Sequence, residues 1–568
     1  MAVSEASPRE EAWTGEGPAP MGQLGQPPAP GAAGGASGPS PMKRRKRAGR
    51  HFVDPPEDRR SVHRVLFTGA LWNNLSSLVP LAITTVVTPY LIHGFGVAAW
   101  GLLALVNSIR VFFGPLGGGL GGAMGRYFAL YAGRDDRVKT TQALVTIGSF
   151  LAILGVVITA VSWWTAPLLM TAFGVHGGLR PEGIFLLRTV GILVATSYIH
   201  NLFNAVVNAR QRYAFTNTLT IVTFAAGSFG SVLCVMTGAG LKGIALVYVG
   251  QQVIASAATV PKAMRYMSRR GLCFLEKTEV KEILRFSGSM QLMGVVALVN
   301  NEVDSLVVGA LFHLRALAFY NAGSTVSGGV RNAAYNLMFP FGTHMTQTFA
   351  REGHAGTFGT FERLQRAWVI VTTGISVVGI GASYFAVVEW LGPQFRLGGE
   401  VAAVALGGDL VNLWTGVLTQ YLAAVGRPDI EARYAVMAMV VNVFAMAALV
   451  AFGPVGIAAG GATAAIAASF FLLRVARKRY SAQVTSFLRD VPVLPGLVGL
   501  VVTVVLEVVA EPYAPTGALG LLFAGLPALC GLACYGFAVL GRRTSTFIRA
   551  LARPPVQLAK LADVAFFQ

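Results

Sequence analysis

Four arginines fall within long apolar stretches of the sequence: Arg110, Arg126, Arg188 and Arg331. A charged side chain at the centre of a membrane-spanning helix costs about 2.5–3.5 kcal/mol on insertion scales, so such residues usually face a cavity or a charged partner. A guanidinium stays charged at any physiological pH and meets phosphate oxygens through paired hydrogen bonds. Two of them at one cavity therefore suit a diphosphate. Arg110 and Arg331 lie about 13 and about 15 residues into their stretches, roughly 20 Å at 1.5 Å per residue. Asn107, Arg110, Gly114, Gly118, Gly121 and Gly125 recur at three to four residues, as do Asn321, Thr325, Gly328, Arg331, Tyr335 and Asn336, with Asn332 beside them. The 3.6-residue period puts each set on one helix face, as a cavity-lining helix requires. Pairing with an acid for packing is the alternative. Arg126 lies near a helix end, where snorkelling to headgroups is equally open to it. Arg188 lies near the opposite mouth.

Buried acids form a second set. Glu302 and Asp304 share one stretch with Asn300 and Asn301; Asp409 shares another with Asn412, Gly416, Thr419 and Gln420. Intramembrane carboxylates serve as proton or monovalent-cation sites, or balance buried arginines. Both readings stay open for Glu302, Asp304 and Asp409. Asn201 and Asn204, with Asn208 beyond them, either face a sugar or bond between helices. The run GGGLGG at Gly117–Gly122 resembles a phosphate loop only superficially. It lacks the preceding strand and the following Lys-Ser/Thr, so close helix packing explains it better.

Elements long enough to hold these residues recur throughout. The 568-residue chain is 54% hydrophobic and only 12% charged, against about 25% charged in an ordinary soluble protein. About fourteen stretches, from 65–92 to 517–540, are candidates for helices that cross a bilayer, each needing about 20 apolar residues. The expected fold class is an all-α polytopic membrane protein. Its expected parts are a disordered tail over 1–63, a six-helix lobe over 64–263 and an amphipathic surface linker over 264–282. A second six-helix lobe over 283–475, an extra helix pair over 476–540 and a basic tail over 541–568 follow. Four scattered cysteines show neither zinc nor disulfide spacing, and no cofactor is expected.

The formal charge of +19 would suggest nucleic acid, until it is sorted by side. With the N-terminus in the cytoplasm, loops and the C-terminal tail on that side carry 27 Lys and Arg, against Arg180, Lys242, Arg315 and Arg396 opposite. That is a positive-inside pattern. It places both termini in the cytoplasm and removes the argument for nucleic acid. The run Lys43–Arg50 reads as a juxtamembrane anchor. Outer loops are short, so a hydrolase, polymerase or ligase has no room there for a site. The chain is not expected to be an enzyme.

The halves also resemble each other. Phe67–Trp72 (FTGALW) aligns with Phe286–Gln291 (FSGSMQ) at an offset of 219, Trp100 falls on Phe319, and Arg110 nearly falls on Arg331. A parallel repeat of this kind places a substrate site between halves that rock to give alternating access. Its pseudo-two-fold axis would bring Arg110 and Arg331 toward one shared central cavity.

At this point a family resemblance appears. GFGVAAWGLLALVNSI (Gly94–Ile109) and NNEVDSLVVGALFHLRALAFYNAGSTV (Asn300–Val326) resemble the second helix and the seventh-to-eighth crossing of the oligosaccharide-lipid flippases. These belong to the multidrug/oligosaccharidyl-lipid/polysaccharide exporter superfamily, and the resemblance spans roughly 65–475. It implies two lobes plus an extra helix pair in a bacterial inner membrane. It also implies movement of polyprenyl-diphosphate-linked oligosaccharides to the outer leaflet for cell-surface polysaccharide. Arg110, Arg331, Arg188 and Arg126 would then hold the diphosphate, and Asn107, Asn201, Asn204, Asn300, Asn301, Asn332, Asn336 and Asn412 would face sugar. The implied partners are the lipid-linked substrate, the bilayer, and polysaccharide polymerase or glycosyltransferases. A peptidoglycan-precursor flippase and a multidrug/cation antiporter are the alternatives within the superfamily. Such antiporters often carry a carboxylate in the first helix, and 65–92 has none.

Overall fold

The computed structural model describes Ser76 and residues 79–540 apart from 481. The expected tails over 1–63 and 541–568, the basic run Lys43–Arg50 and the start of the first span lie outside the described residues. All regular structure among the described residues is helical. The first half comprises α1 (Val79–Phe95), α2 (Val97–Phe112), α3 (Gly114–Gly133), α4 (Arg137–Ala172), α5 (Leu179–Ala209), α6 (Tyr213–Met236) and α7 (Gly240–Met264). The second comprises α8 (Lys277–Leu311), α9 (His313–Leu391), α10 (Arg396–Trp414), α11 (Gly416–Ala424), α12 (Pro428–Leu449) and α13 (Gly453–Arg479), followed by α14 (Val493–Ala510) and α15 (Ala518–Leu540).

Helices are what such a sequence must form, because a bilayer offers no water to backbone N–H and C=O groups. Their apolar outer faces are bare: Trp164 of α4, Phe229 of α6 and Leu522 of α15 are all strongly exposed. The chain is a multi-pass membrane protein. Breaks fall where the residue types dictate. Gly96 (φ 87°) turns the chain between α1 and α2, and Gly353 (φ 67°) kinks the long α9; both adopt backbone angles that side chains disfavour.

Nine helical runs among the described residues are long and apolar enough to cross a membrane, ten counting a pair bent by 46° over 294–311. That criterion does not confirm the expected fourteen, for physical reasons. The expected span 97–131 is split into α2 and α3 ahead of Pro115. The expected span 283–312 is the bent pair. One of the nine runs, Asp429–Lys478, contains both α12 and α13.

The linker is less helical than its amphipathic pattern suggests. Between α7 and α8 it forms one short turn, Arg269–Gly271. Backbone bonds from Ser268 and Leu275 to the Thr141 and Thr146 hydroxyls, both 2.9 Å, strap it to α4. Ion pairs gather at this expected cytoplasmic end. Lys139 Nζ lies 2.7 Å from Glu279 Oε1, and Arg210 Nη1 lies 2.8 Å from Asp135 Oδ1. The bond from Arg210 holds the Asp135 carboxyl below its ordinary range, so the pair is intact at neutral pH and weakens as pH falls through that lowered range. Both Lys139 and Glu279 are about a third exposed, and exposed pairs are worth about 0.2–1 kcal/mol. A double-mutant cycle with Lys139→Ala and Glu279→Ala, read by thermal unfolding, will show coupling within that range. Coupling of several kcal/mol would contradict this placement of the pair.

The halves meet at both ends. Near the expected outer end, α2 crosses the start of α9 so closely that a Cβ on Gly101 would overlap the Leu314 carbonyl oxygen. Trp390 Nε1 donates to the Thr85 carbonyl at 2.7 Å. At the expected cytoplasmic end Tyr127 Oη donates to Glu282 Oε1 at 3.0 Å. The additional helices α14 and α15 pack on the second part of α9, where Tyr535 Oη donates to the Ile370 carbonyl at 2.6 Å.

Candidate functional site

Each half contains a polar cavity with one of the two mirrored arginines. In the first half, α2, α5, α6 and α7 enclose about 340 Å³ lined by Asn107, Arg110, Thr189, Tyr248, Gln251 and Gln252, with apolar walls such as Leu186 and Phe224. Arg110 Nε and Nη2 both donate to Asn107 Oδ1, at 3.1 and 2.9 Å. The spacing of three residues puts the amide beside the guanidinium. It fixes one edge of the group and leaves charge toward the cavity.

In the second half, α8, α9, α10, α12 and α13 enclose about 380 Å³. Arg331 Nη1 lies 3.7 Å from Asp409 Oδ1. Asp304 accepts from Asn442 Nδ2 at 3.1 Å and from Tyr320 Oη at 3.3 Å. Tyr335 Oη donates to Asn412 Oδ1 at 2.9 Å, and Asn412 Nδ2 donates to Tyr434 Oη at 2.7 Å. Asn300 lines the same cavity and donates to the Ala435 carbonyl at 3.2 Å. A buried carboxylate needs this density of donors to stay in an apolar bundle.

The expected shared cavity is therefore resolved into two, one arginine to each. What connects them is α8. Residues two apart on a helix point about 200° apart. Glu302 accordingly lies against Ser108 and in the field of Arg110, whereas Asp304 enters the second cavity in the field of Arg331. Glu302 and Asp304 also sense each other. The result is a line of neighbouring charges running from Arg110 through Glu302, Asp304 and Arg331 to Asp409.

Other sequence candidates go elsewhere. Asn201 and Asn204 line a third cavity of about 270 Å³ with Gly114, Gly117 and Gly121 of α3. There a Cβ on Gly117 would stand 2.6 Å from the Tyr198 ring, and Tyr198 Oη bonds the Phe113 carbonyl at the α2–α3 break. The glycine run thus admits an aromatic side chain. Arg188 stacks over Trp163 at 4.6 Å and donates to its carbonyl at 3.4 Å, away from all three cavities. Arg126 is exposed, 5.8 Å above the Tyr127 ring. Asn332 is exposed and lines none of these cavities. The side chains of Asn301 and Asn336 lie outside those described.

Sequence reasoning missed Tyr248, Gln251, Gln252, Tyr320, Tyr434 and Asn442. The usable signal was polarity inside apolar runs. Asn442 interrupts MVVNVF, and Gln251–Gln252 interrupts YVGQQVIA.

Comparison with known proteins agrees with this architecture. Residues 122–336 match the model of a family described as "Polysaccharide biosynthesis protein". No curated protein matches the chain significantly. Among solved structures, the lipid II flippase MurJ in an inward closed conformation is 14% identical, with a TM-score of 0.58 over 86% of this chain and 100% of that one. An inward-facing multidrug resistance MATE family transporter of the MOP superfamily is 14% identical, with a TM-score of 0.57 over 73% of this chain and 96% of that one. A Vibrio cholerae MATE transporter is 14% identical, with a TM-score of 0.53 over 75% and 99%. The chain thus shares the all-helical fold of these transporters, and its residues 122–336 resemble a polysaccharide biosynthesis family.

Proposed function

We propose that the protein is an alternating-access flippase for lipid-linked oligosaccharides. It would move polyprenyl-diphosphate-linked units from the cytoplasmic to the outer leaflet of a bacterial inner membrane, with both termini in the cytoplasm. The observation that carries this reading is one arginine-bearing polar cavity in each half of a MOP-type fold. The match to a polysaccharide biosynthesis family supports the substrate class. Cavities of about 340 and 380 Å³ hold a headgroup fragment, not a whole oligosaccharide. In this reading Arg110 and Arg331 share the diphosphate as the halves part, the cavity amides face the first sugars, and the lipid tail stays in the bilayer. Asp304 and Asp409 would take a proton or monovalent cation when Arg331 turns to phosphate, and Glu302 would balance Arg110. Polysaccharide polymerase or glycosyltransferases would supply and consume the substrate.

One observation favours a second reading, a peptidoglycan-precursor flippase. The likeness to MurJ extends over 86% of this chain, against 73% for the MATE transporter. Proteoliposomes carrying a labelled polyprenyl-diphosphate oligosaccharide test both. Protein-dependent arrival of that sugar in the opposite leaflet is expected. Movement of a lipid-linked muropeptide alone would favour the second reading, and export of organic cations with neither lipid moved would contradict both.

A further inference from the structure

Two glutamates that neither cavity uses lie where the additional helix pair meets the second half. Glu389, near the end of α9, is 3% exposed, and Glu507 of α14 is 0% exposed. None of their four carboxylate oxygens has a hydrogen-bond partner among the described residues. The two side chains are within electrostatic range of each other. Among the described residues, the only other charged group acting on Glu389 is Glu511, in the turn after α14. No lysine, arginine or histidine among the described residues acts on either.

The surroundings seal the pair. On the α9–α14 contact, Gly381 packs against Leu500, Thr503 and Val504. From α15, Gly520 approaches the Glu389 backbone carbonyl, which also accepts from Gly517 N at 3.0 Å. The Thr503 hydroxyl, the polar group nearest along α14, is already bonded to the Gly499 carbonyl at 2.8 Å. Beside Glu389, Trp390 and Leu391 join an apolar cluster with Ile92 and Phe395.

Two adjacent ionised carboxylates without donors cannot persist in such a place, since burial and like charge both disfavour them. The missing partner must be a cation from solution. A divalent ion would need several oxygen ligands, and no group of three acidic or histidine side chains among the described residues converges to hold one. A proton needs only a single carboxyl oxygen, and two interacting carboxyls take it up as a pair.

We infer that Glu389 and Glu507 form a proton-binding site that locks α14 and α15 onto α9. With the proton in place, the pair carries at most one charge. Without it, two anions repel across the α9–α14 contact. The site lies at the expected outer end of both helices, so pH on that side governs how firmly the additional pair is seated.

Infrared spectroscopy of the full-length protein in lipid nanodiscs tests this without any transport substrate. At neutral pH the protein will show a protonated-carboxyl C=O band that shifts down in deuterated buffer. The Glu389→Gln/Glu507→Gln variant will lose that band, and Glu511→Gln will keep it. The thermal midpoint of the native protein will fall from mildly acidic to mildly alkaline pH, and that of the double variant will change less. Where the double variant does not insert, Glu389→Gln and Glu507→Gln singly carry the test, each reducing the band. An undiminished band in the variants overturns the inference. So does a native band that appears only after divalent ions are chelated, which would make the site a metal site.

Discussion

Arg331→Met will destabilise the protein by about 2–3 kcal/mol, toward or below the lower end of the 3–5 kcal/mol expected when one partner of a buried ion pair is removed. The reason is Asp409, which is 7% exposed and loses its cationic neighbour. The discount reflects a guanidinium that is 36% exposed and stands 3.7 Å away. Adding Asp409→Leu removes the orphaned charge, so the double variant will recover most of the thermal stability in nanodiscs. Transport will not recover. A stable double variant that cannot flip lipid separates the structural part of this pair from its part in substrate handling. Full transport by that variant would reduce Arg331 to a packing residue.

Gly101→Val carries the second large effect. A Cβ there overlaps the Leu314 carbonyl oxygen, and a backbone atom cannot swing aside as a side-chain tip can. Overpacking typically costs about 1–3 kcal/mol, and a contact this close belongs at the upper end. Because α2 and α9 belong to different halves, the substitution also props them apart near the expected outer end. It will therefore lower the unfolding midpoint and shift accessibility at that end, read as faster labelling of an introduced cysteine by a membrane-impermeant reagent. Gly250→Ala on α7 is the control. Its added methyl meets nothing within 4 Å, and alanine favours a helix by up to about 1 kcal/mol. A Gly101→Val protein as stable as Gly250→Ala would contradict the crossing described.

Much of the architecture was legible in the residues because bilayer solvation imposes one rule on every segment. Apolar runs had to be helices, and short basic loops had to share a side. The structure brings three of those loops together through Arg210, Asp135, Lys139 and Glu279. The helix break at Gly353 was less legible, since it acts through local geometry that hydropathy averages away. The same averaging hid the irregular linker. At the candidate site, periodicity put Arg110 and Asn107 on one face and Arg331 within a polar stripe. It could not show that the two stripes open into separate cavities, because that depends on how the halves are rotated. Glu302 and Asp304 looked like one feature in sequence; the 200° between them on a helix makes them two. Glu389 and Glu507 lie 118 residues apart, and nothing local marks them as neighbours.

In the proposed function the two arginine cavities together handle one diphosphate. Leaflet-resolved movement of a labelled polyprenyl-diphosphate oligosaccharide, in proteoliposomes carrying the Arg110→Ala/Arg331→Ala variant, tests it most directly. The variant will insert with native helix content and move no label above protein-free vesicles, and each single variant will be impaired. Normal movement by the double variant would contradict it.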